Sequence, residues 1–210
     1  MPQLFPAWST TALRSALIGI PMVALAATGA WATAYRSAYY TGEGEPQRQP
    51  VPFSHEHHVG GLGIDCRYCH TSVEHAASAG MPSSATCMRC HSQIWTQSAM
   101  LAPVRASYRS GRPLRWTRVN DLPDFVYFHH GIHVAAGIGC VTCHGRVDRM
   151  PLMVKAHSLH MRWCLECHRD PSRFQRARSE VFTMGEATTP LRNPTRLLDR
   201  SIMDCTTCHR

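Results

Sequence analysis

With 210 residues and a mass of 23.5 kDa, the chain has the size of one domain or two. Hydrophobic residues make up 44% and charged residues 17% of it, which excludes a disordered acidic tail, a collagen-like repeat and a polytopic membrane protein. The formal charge of +8 invites nucleic acid, but every basic residue except Lys155 is Arg, and the ten cysteines and 14 histidines need explaining first.

Taken in chain order, residues 1–14 form a short N-terminal stretch, expected on the cytoplasmic side. Residues 15–35, between Arg14 and Arg36, carry no charge. As a helix this segment is about 31 Å long, enough to cross a bilayer once. Trp8 at one end and Trp31, Tyr35, Tyr39 and Tyr40 at the other suit the two interfaces, and Pro21 is tolerated in a membrane helix. The expectation is a retained signal anchor. The competing reading is a cleaved signal peptide, because Ala32-Thr33-Ala34 resembles a processing site. Residues 36–52, rich in Pro and Gly, read as an extended linker.

From residue 53 onward the ten cysteines fall into five C-x-x-C pairs, each followed at once by His: Cys66, Cys69 and His70; Cys87, Cys90 and His91; Cys140, Cys143 and His144; Cys164, Cys167 and His168; Cys205, Cys208 and His209. This is the attachment signature of c-type haem, in which two thiols add to the vinyl groups and the adjacent imidazole reaches the iron. Zinc ribbons, thioredoxin-like pairs and structural disulfides all use C-x-x-C, and none requires the His that follows. Five covalent haems c are therefore expected. With about 32 residues for each, the porphyrins have to serve as the core, and their propionates offset most of the basic charge. The nucleic-acid reading loses its basis.

Two segments share the pattern F-x-H-x-x-H-V: Phe53 to Val59, with His55 and His58, and Phe128 to Val134, with His130 and His133. Each precedes a haem motif, which reads as an internal duplication with copies at 53–91 and 128–168. A connector at 92–127 contains a possible strand at Trp116 to Val119 and an aromatic stretch at 121–128 that could pack on a haem or on a partner. The C-terminal segment 169–210 holds the fifth motif. The expected fold is mainly α with much irregular loop and little sheet.

The haem segments resemble small multihaem cytochromes of the c3/c7 type, in which the two histidines of F-x-H-x-x-H cap neighbouring haems. The resemblance implies that His55, His58, His130 and His133 are the sixth ligands of four irons, in two dihaem modules to which the C-terminal segment adds a fifth haem. An i, i+3 pair shares one face of a short helix and can meet two irons side by side. For the fifth iron, Met161 and then His157 are the candidates, because positions 157, 161 and 164 fall on one face of a helix if the whole stretch is helical.

The strings PFSHEHHVGGLGIDCRYCH, TCMRCHSQIW, DLPDFVYFHHGIHVAAGIGCVTCHGRVD and WCLECHRDP, following an anchor and a Pro-rich spacer, resemble the pentahaem cytochrome c subunit of bacterial alternative complex III. The resemblance covers most of 50–171 and weakens in 172–204. It implies a non-catalytic electron-transfer subunit of a quinol:acceptor oxidoreductase, anchored by one helix in the bacterial inner membrane with its haems on the periplasmic side. It further implies iron–sulfur and membrane subunits as partners, with a periplasmic cytochrome c, a copper protein or a terminal oxidase as acceptor. The rival readings are a stand-alone membrane-anchored quinol dehydrogenase, a freestanding electron store, and a multihaem reductase with an open fifth haem.

Overall fold

The structure is a computed structural model, and it describes residues 4–188 and 200–209. The chain divides into two compact units, Met1–Gly42 and Glu43–Arg210.

The first unit is dominated by helix α1, Trp8–Arg36, which has Pro21 in its interior and no buried residue. It begins before the uncharged stretch itself, at Trp8. Thr28 and Thr33 turn their hydroxyls back onto the carbonyls of Ala24 and Gly29, so these polar groups are satisfied within the helix, as an apolar surrounding demands. Trp31 stacks on Tyr35 with ring centroids 5.6 Å apart. α1 is long and apolar enough to cross a membrane, which suggests an anchor. A short α2, Ala38–Thr41, ends on Gly42, whose φ of 69° is the left-handed conformation glycine adopts at low cost.

The second unit consists of short helices joined by irregular chain. In order they are a π-helical turn at Glu56–Gly61, α3 at Cys66–Cys69, α4 at Ser84–His91, α5 at Ala102–Ser110, α6 at His130–Ala135, α7 at Cys140–His144, α8 at Met161–Arg169 and α9 at Cys205–Cys208. Among the described residues there is no strand, only three isolated bridges. Trp116 to Val119 is irregular, not the expected strand. Its polar groups are instead held by Gln49: Gln49 Nε2 donates to Thr117 O at 2.9 Å, and Thr117 N donates to Gln49 Oε1 at 3.0 Å.

The same contact changes the picture of residues 43–52. They do not stand off as a free spacer: Glu43 bridges to Lys155, Pro46 to Val154, and Val51 is buried against Leu101 and Val104. An apolar side chain and a glutamine amide within the Pro-rich stretch give it partners that outweigh its extended tendency.

Apolar packing is sparse. Nine hydrophobic side chains are buried among the described residues, and six of them gather into two small clusters, Val51 with Leu101 and Val104, and Val73 with Val134 and Val181. That is little for a unit of this length.

The two F-x-H-x-x-H segments and the turns after the first and third motifs contact each other reciprocally. Glu56 N donates to Met150 O at 3.1 Å, and Gly131 N donates to Ala76 O at 3.2 Å. Glu56 and Gly131 occupy the same place in the two segments, and Met150 and Ala76 lie equally far beyond His144 and His70. The contact is isologous, as across a two-fold axis. It also explains two glycines. A Cβ on Gly131 would meet Glu74 O at 2.8 Å, and one on Gly60 would collide with the carbonyl of Asp148.

Candidate metal centres

Each C-x-x-C pair lies on a helical turn, within α3, α4, α7, α8 or α9, so its two sulfurs emerge on one side. α3 is held by Asp65 at its N-cap, which accepts from Arg67 N at 2.8 Å. No disulfide joins any of the ten cysteines. Burial pushes Cys140 up to about 11 and Cys143 up to about 12, so both are neutral at physiological pH. No three His, Cys, Asp or Glu side chains gather around one point among the described residues.

Histidines meet in pairs across a gap. The ring centroids of His58 and His91 are 6.2 Å apart, those of His130 and His144 6.3 Å, and those of His133 and His168 6.2 Å. These separations lie at the long end of ring–ring contact. Two imidazoles bound to one metal at about 2 Å per nitrogen place their centroids about 6 Å apart. Each pair joins one motif histidine to one histidine of an F-x-H-x-x-H segment. His55 lies close enough to His70 for their charges to interact.

The other ring nitrogen is anchored in most of these histidines. Nδ1 reaches a backbone carbonyl in His58 (Ser54, 2.8 Å), His70 (Gly80, 2.8 Å), His91 (Ile94, 3.3 Å) and His130 (Ala77, 2.7 Å). The same holds for His133 (His129, 2.9 Å), His168 (Ile202, 2.9 Å) and His209 (Phe125, 3.2 Å). A carbonyl accepts only from N–H, which fixes the tautomer and leaves the Nε2 lone pair for a metal. His144 faces a side chain instead, that of Asn120, at 3.0 Å. Desolvation by burial lowers His55 and His144 to about 4, and lowers His58 and His133 as well, so these rings are neutral, as ligands must be. His55 Nδ1 is buried without a partner among the described residues.

The two F-x-H-x-x-H segments repeat one geometry. Phe53 meets His55 edge-on at 4.9 Å and stacks on His58 at 4.4 Å; Phe128 meets His130 edge-on at 4.8 Å and stacks on His133 at 4.4 Å. The phenylalanine is thus a wedge that sets both rings. Thiols of different motifs lie near enough to influence one another electrostatically: Cys87 and Cys69, Cys66 and Cys140, Cys143 with Cys164 and Cys167, and Cys164 and Cys208.

The remaining histidines have other partners. His57 stacks on Trp95 at 6.0 Å, and His129 Nδ1 accepts from Ile132 N at 3.4 Å, capping α6. The expected helical face through positions 157, 161 and 164 does not form. Leu159 takes a left-handed φ of 56°, so α8 begins only at Met161 and His157 lies outside it, stacked on Trp163 at 5.0 Å. Met161 is 64% exposed. The aromatic stretch 121–128 packs on the fifth motif: Phe125 stacks on His209 at 5.9 Å, and Tyr127 N donates to Cys208 O at 2.7 Å. Sequence reasoning missed Asn120, because nothing in its local pattern marks it as the neighbour of a histidine 24 positions away.

Comparison with known proteins bears on the kind of protein this is. Residues 132–210, which contain three of the five motifs, match the model of the family described as Cytochrome c3. The chain is also 37% identical over 104 residues to "Menaquinone reductase, multiheme cytochrome c subunit" of Nitratidesulfovibrio vulgaris, a match covering 49% of this chain and 49% of that protein. Together they support a multihaem cytochrome c. The chain thus spans about half the length of the curated relative it matches, and alternative complex III figures in neither comparison.

Proposed function

We propose that the chain holds five covalent haems c and relays electrons as a subunit of a quinone-linked membrane complex. The observation that carries this reading is the set of three histidine pairs at 6.2–6.3 Å, each made of one motif histidine and one F-x-H-x-x-H histidine. With His55 opposite His70, four irons have two protein ligands each, in the pairs 55/70, 58/91, 130/144 and 133/168. His209 holds the fifth, with Met161 and His157 as candidates for its other face.

Bound haem supplies reversible one-electron exchange at iron. The chain's own residues do the rest. The cysteine pairs would tether the porphyrin edges, the paired imidazoles would hold four of the irons and exclude substrate from them, and the His55/His58 and His130/His133 turns would hold neighbouring sites together. The thiol neighbours support the row 87/90, 66/69, 140/143, 164/167, 205/208, with the His91 and His209 sites at its ends. α1 anchors the row at the bacterial inner membrane, with residues 43–210 on the periplasmic side, and iron–sulfur and membrane subunits complete the complex.

A second reading concerns direction. The resemblance to alternative complex III has electrons leaving quinol for a periplasmic cytochrome c, copper protein or oxidase, whereas the relative's name is that of a menaquinone reductase. Native membranes extracted in mild detergent and separated on a native gel decide both points. The expected result is a haem-stained band of several hundred kDa whose chain carries five haems by intact mass. Quinol-dependent cytochrome c reduction in that band indicates the first direction, and quinone reduction by a reduced periplasmic cytochrome the second. A band near the chain's own mass, inert to quinol and quinone, refutes the complex.

A further inference from the structure

We propose that Asn120 is a positioning residue that sets how strongly His144 donates to its iron, and so sets the potential of one haem in the middle of the row. The inference rests on the haem reading above.

His144 Nδ1 and Asn120 Nδ2 are 3.0 Å apart, while Asn120 Oδ1 is buried with no hydrogen-bond partner among the described residues. Once His144 gives its Nε2 lone pair to a metal, Nδ1 carries the proton, and Nδ1 and Asn120 Nδ2 would then both be donors. A half-turn of the amide resolves this. Oδ1 then accepts from Nδ1–H, the orphaned oxygen gains its partner, and His144 acquires the tautomer that a ligand needs. The rotated amide suits the Nδ1–H tautomer of His144, and that tautomer leaves Nε2 free for a metal.

Asn120 is also held in place. Three residues earlier, Thr117 is clamped by the two-way amide bond to Gln49, and Thr117 Oγ1 donates to Arg48 O at 3.0 Å. The seven other anchored histidines use backbone carbonyls, which no substitution alters. Position 120 is therefore where a side chain controls an axial ring. An amide oxygen polarises Nδ1–H moderately. A carboxylate draws the proton further, makes the ring more imidazolate-like and favours ferric iron, whereas loss of the acceptor does the reverse.

The test uses the full chain in its native membrane complex, with haem number read by intact mass and the haem potentials by optical redox titration with parallel EPR. In Asn120→Asp at alkaline pH, where the carboxyl is ionised, one of five components is expected to shift to lower potential. In Asn120→Leu one component is expected to shift to higher potential, with the other four unmoved in both variants. A merely structural role does not produce opposite signs. Shifts of the same sign, or no shift with five haems present, overturn the inference. If Asn120→Leu is not recovered, Asn120→Asp decides alone, and the absence of a drop overturns it. A native chain without haem refutes the haem reading itself, a result distinguishable from failure of the Asn120 role.

Discussion

Gly131→Ala tests the reciprocal contact between the two F-x-H-x-x-H segments. The added Cβ would stand 2.8 Å from Glu74 O and 3.2 Å from His129 Cε1. An ordinary carbon–oxygen contact needs about 3.4 Å, so α6 and the turn at 74–77 have to separate by about 0.6 Å. The bonds Gly131 N to Ala76 O and His130 N to Ala77 O are already 3.2 Å long, and this opening carries both beyond hydrogen-bonding range. At about 1 kcal/mol each, with an overpacking cost of about 1–2 kcal/mol, the loss is about 3–4 kcal/mol. For a chain of this size that is a fall of about 6–16 °C in Tm. His130 is fixed to the same turn through Nδ1 and Ala77 O, so one haem should also gain high-spin character. Thermal unfolding followed by Soret absorbance, with EPR of the folded protein, reads both effects. Ile132→Ala, at a side chain 64% exposed on the same helix, is the control and should change Tm little. An unchanged Tm and an EPR spectrum unchanged from the native protein in Gly131→Ala would refute the close approach.

Three further predictions concern the ligands, the core and acid. His58→Ala removes one member of the 6.2 Å pair with His91, so one more haem than in the native protein should become high-spin and bind carbon monoxide when reduced, which optical difference spectra detect; a spectrum unchanged from the native protein would contradict the pairing. Because only nine apolar side chains are buried among the described residues, chain made without haem attachment should lack cooperative thermal unfolding by circular dichroism, and a sharp transition would disprove that the porphyrins complete the core. The Asp65 carboxyl is held below its usual range, chiefly by its hydrogen bond from Arg67. A lowered folded-state value stabilises above the unfolded carboxyl value of about 3.9 and is lost as pH falls through the folded value. The Tm difference between native protein and Asp65→Asn should therefore be constant at neutral pH and shrink below about pH 4; a difference that does not change with pH contradicts the contact.

Much of the site was legible in the chain itself. The C-x-x-C-H motif is local, since a helical turn and the residue after it bring two thiols and an imidazole to one place, and all five motifs do lie on helical turns. F-x-H-x-x-H is local in the same way, and the phenylalanine contacts repeat within 0.1 Å between the copies. The uncharged stretch 15–35 needed only its length and composition. The helical reading of 157–164 failed on one backbone torsion, because periodicity does not register a left-handed residue such as Leu159.

Which imidazole faces which, by contrast, was decided in three dimensions. His91 meets His58 and His168 meets His133 across more than thirty residues of chain, through the folding of loops with no periodic signal. The same is true of Asn120 beside His144 and of Phe125 on His209. The glycines at 60 and 131 look alike in sequence to any others, and only the approach of a carbonyl from the opposite segment makes them necessary. Local spacing determines what each motif can hold, because bond lengths and helical pitch act over a few residues. Tertiary structure determines which holders share a site, because that depends on how distant segments exclude one another's volume and satisfy one another's polar groups.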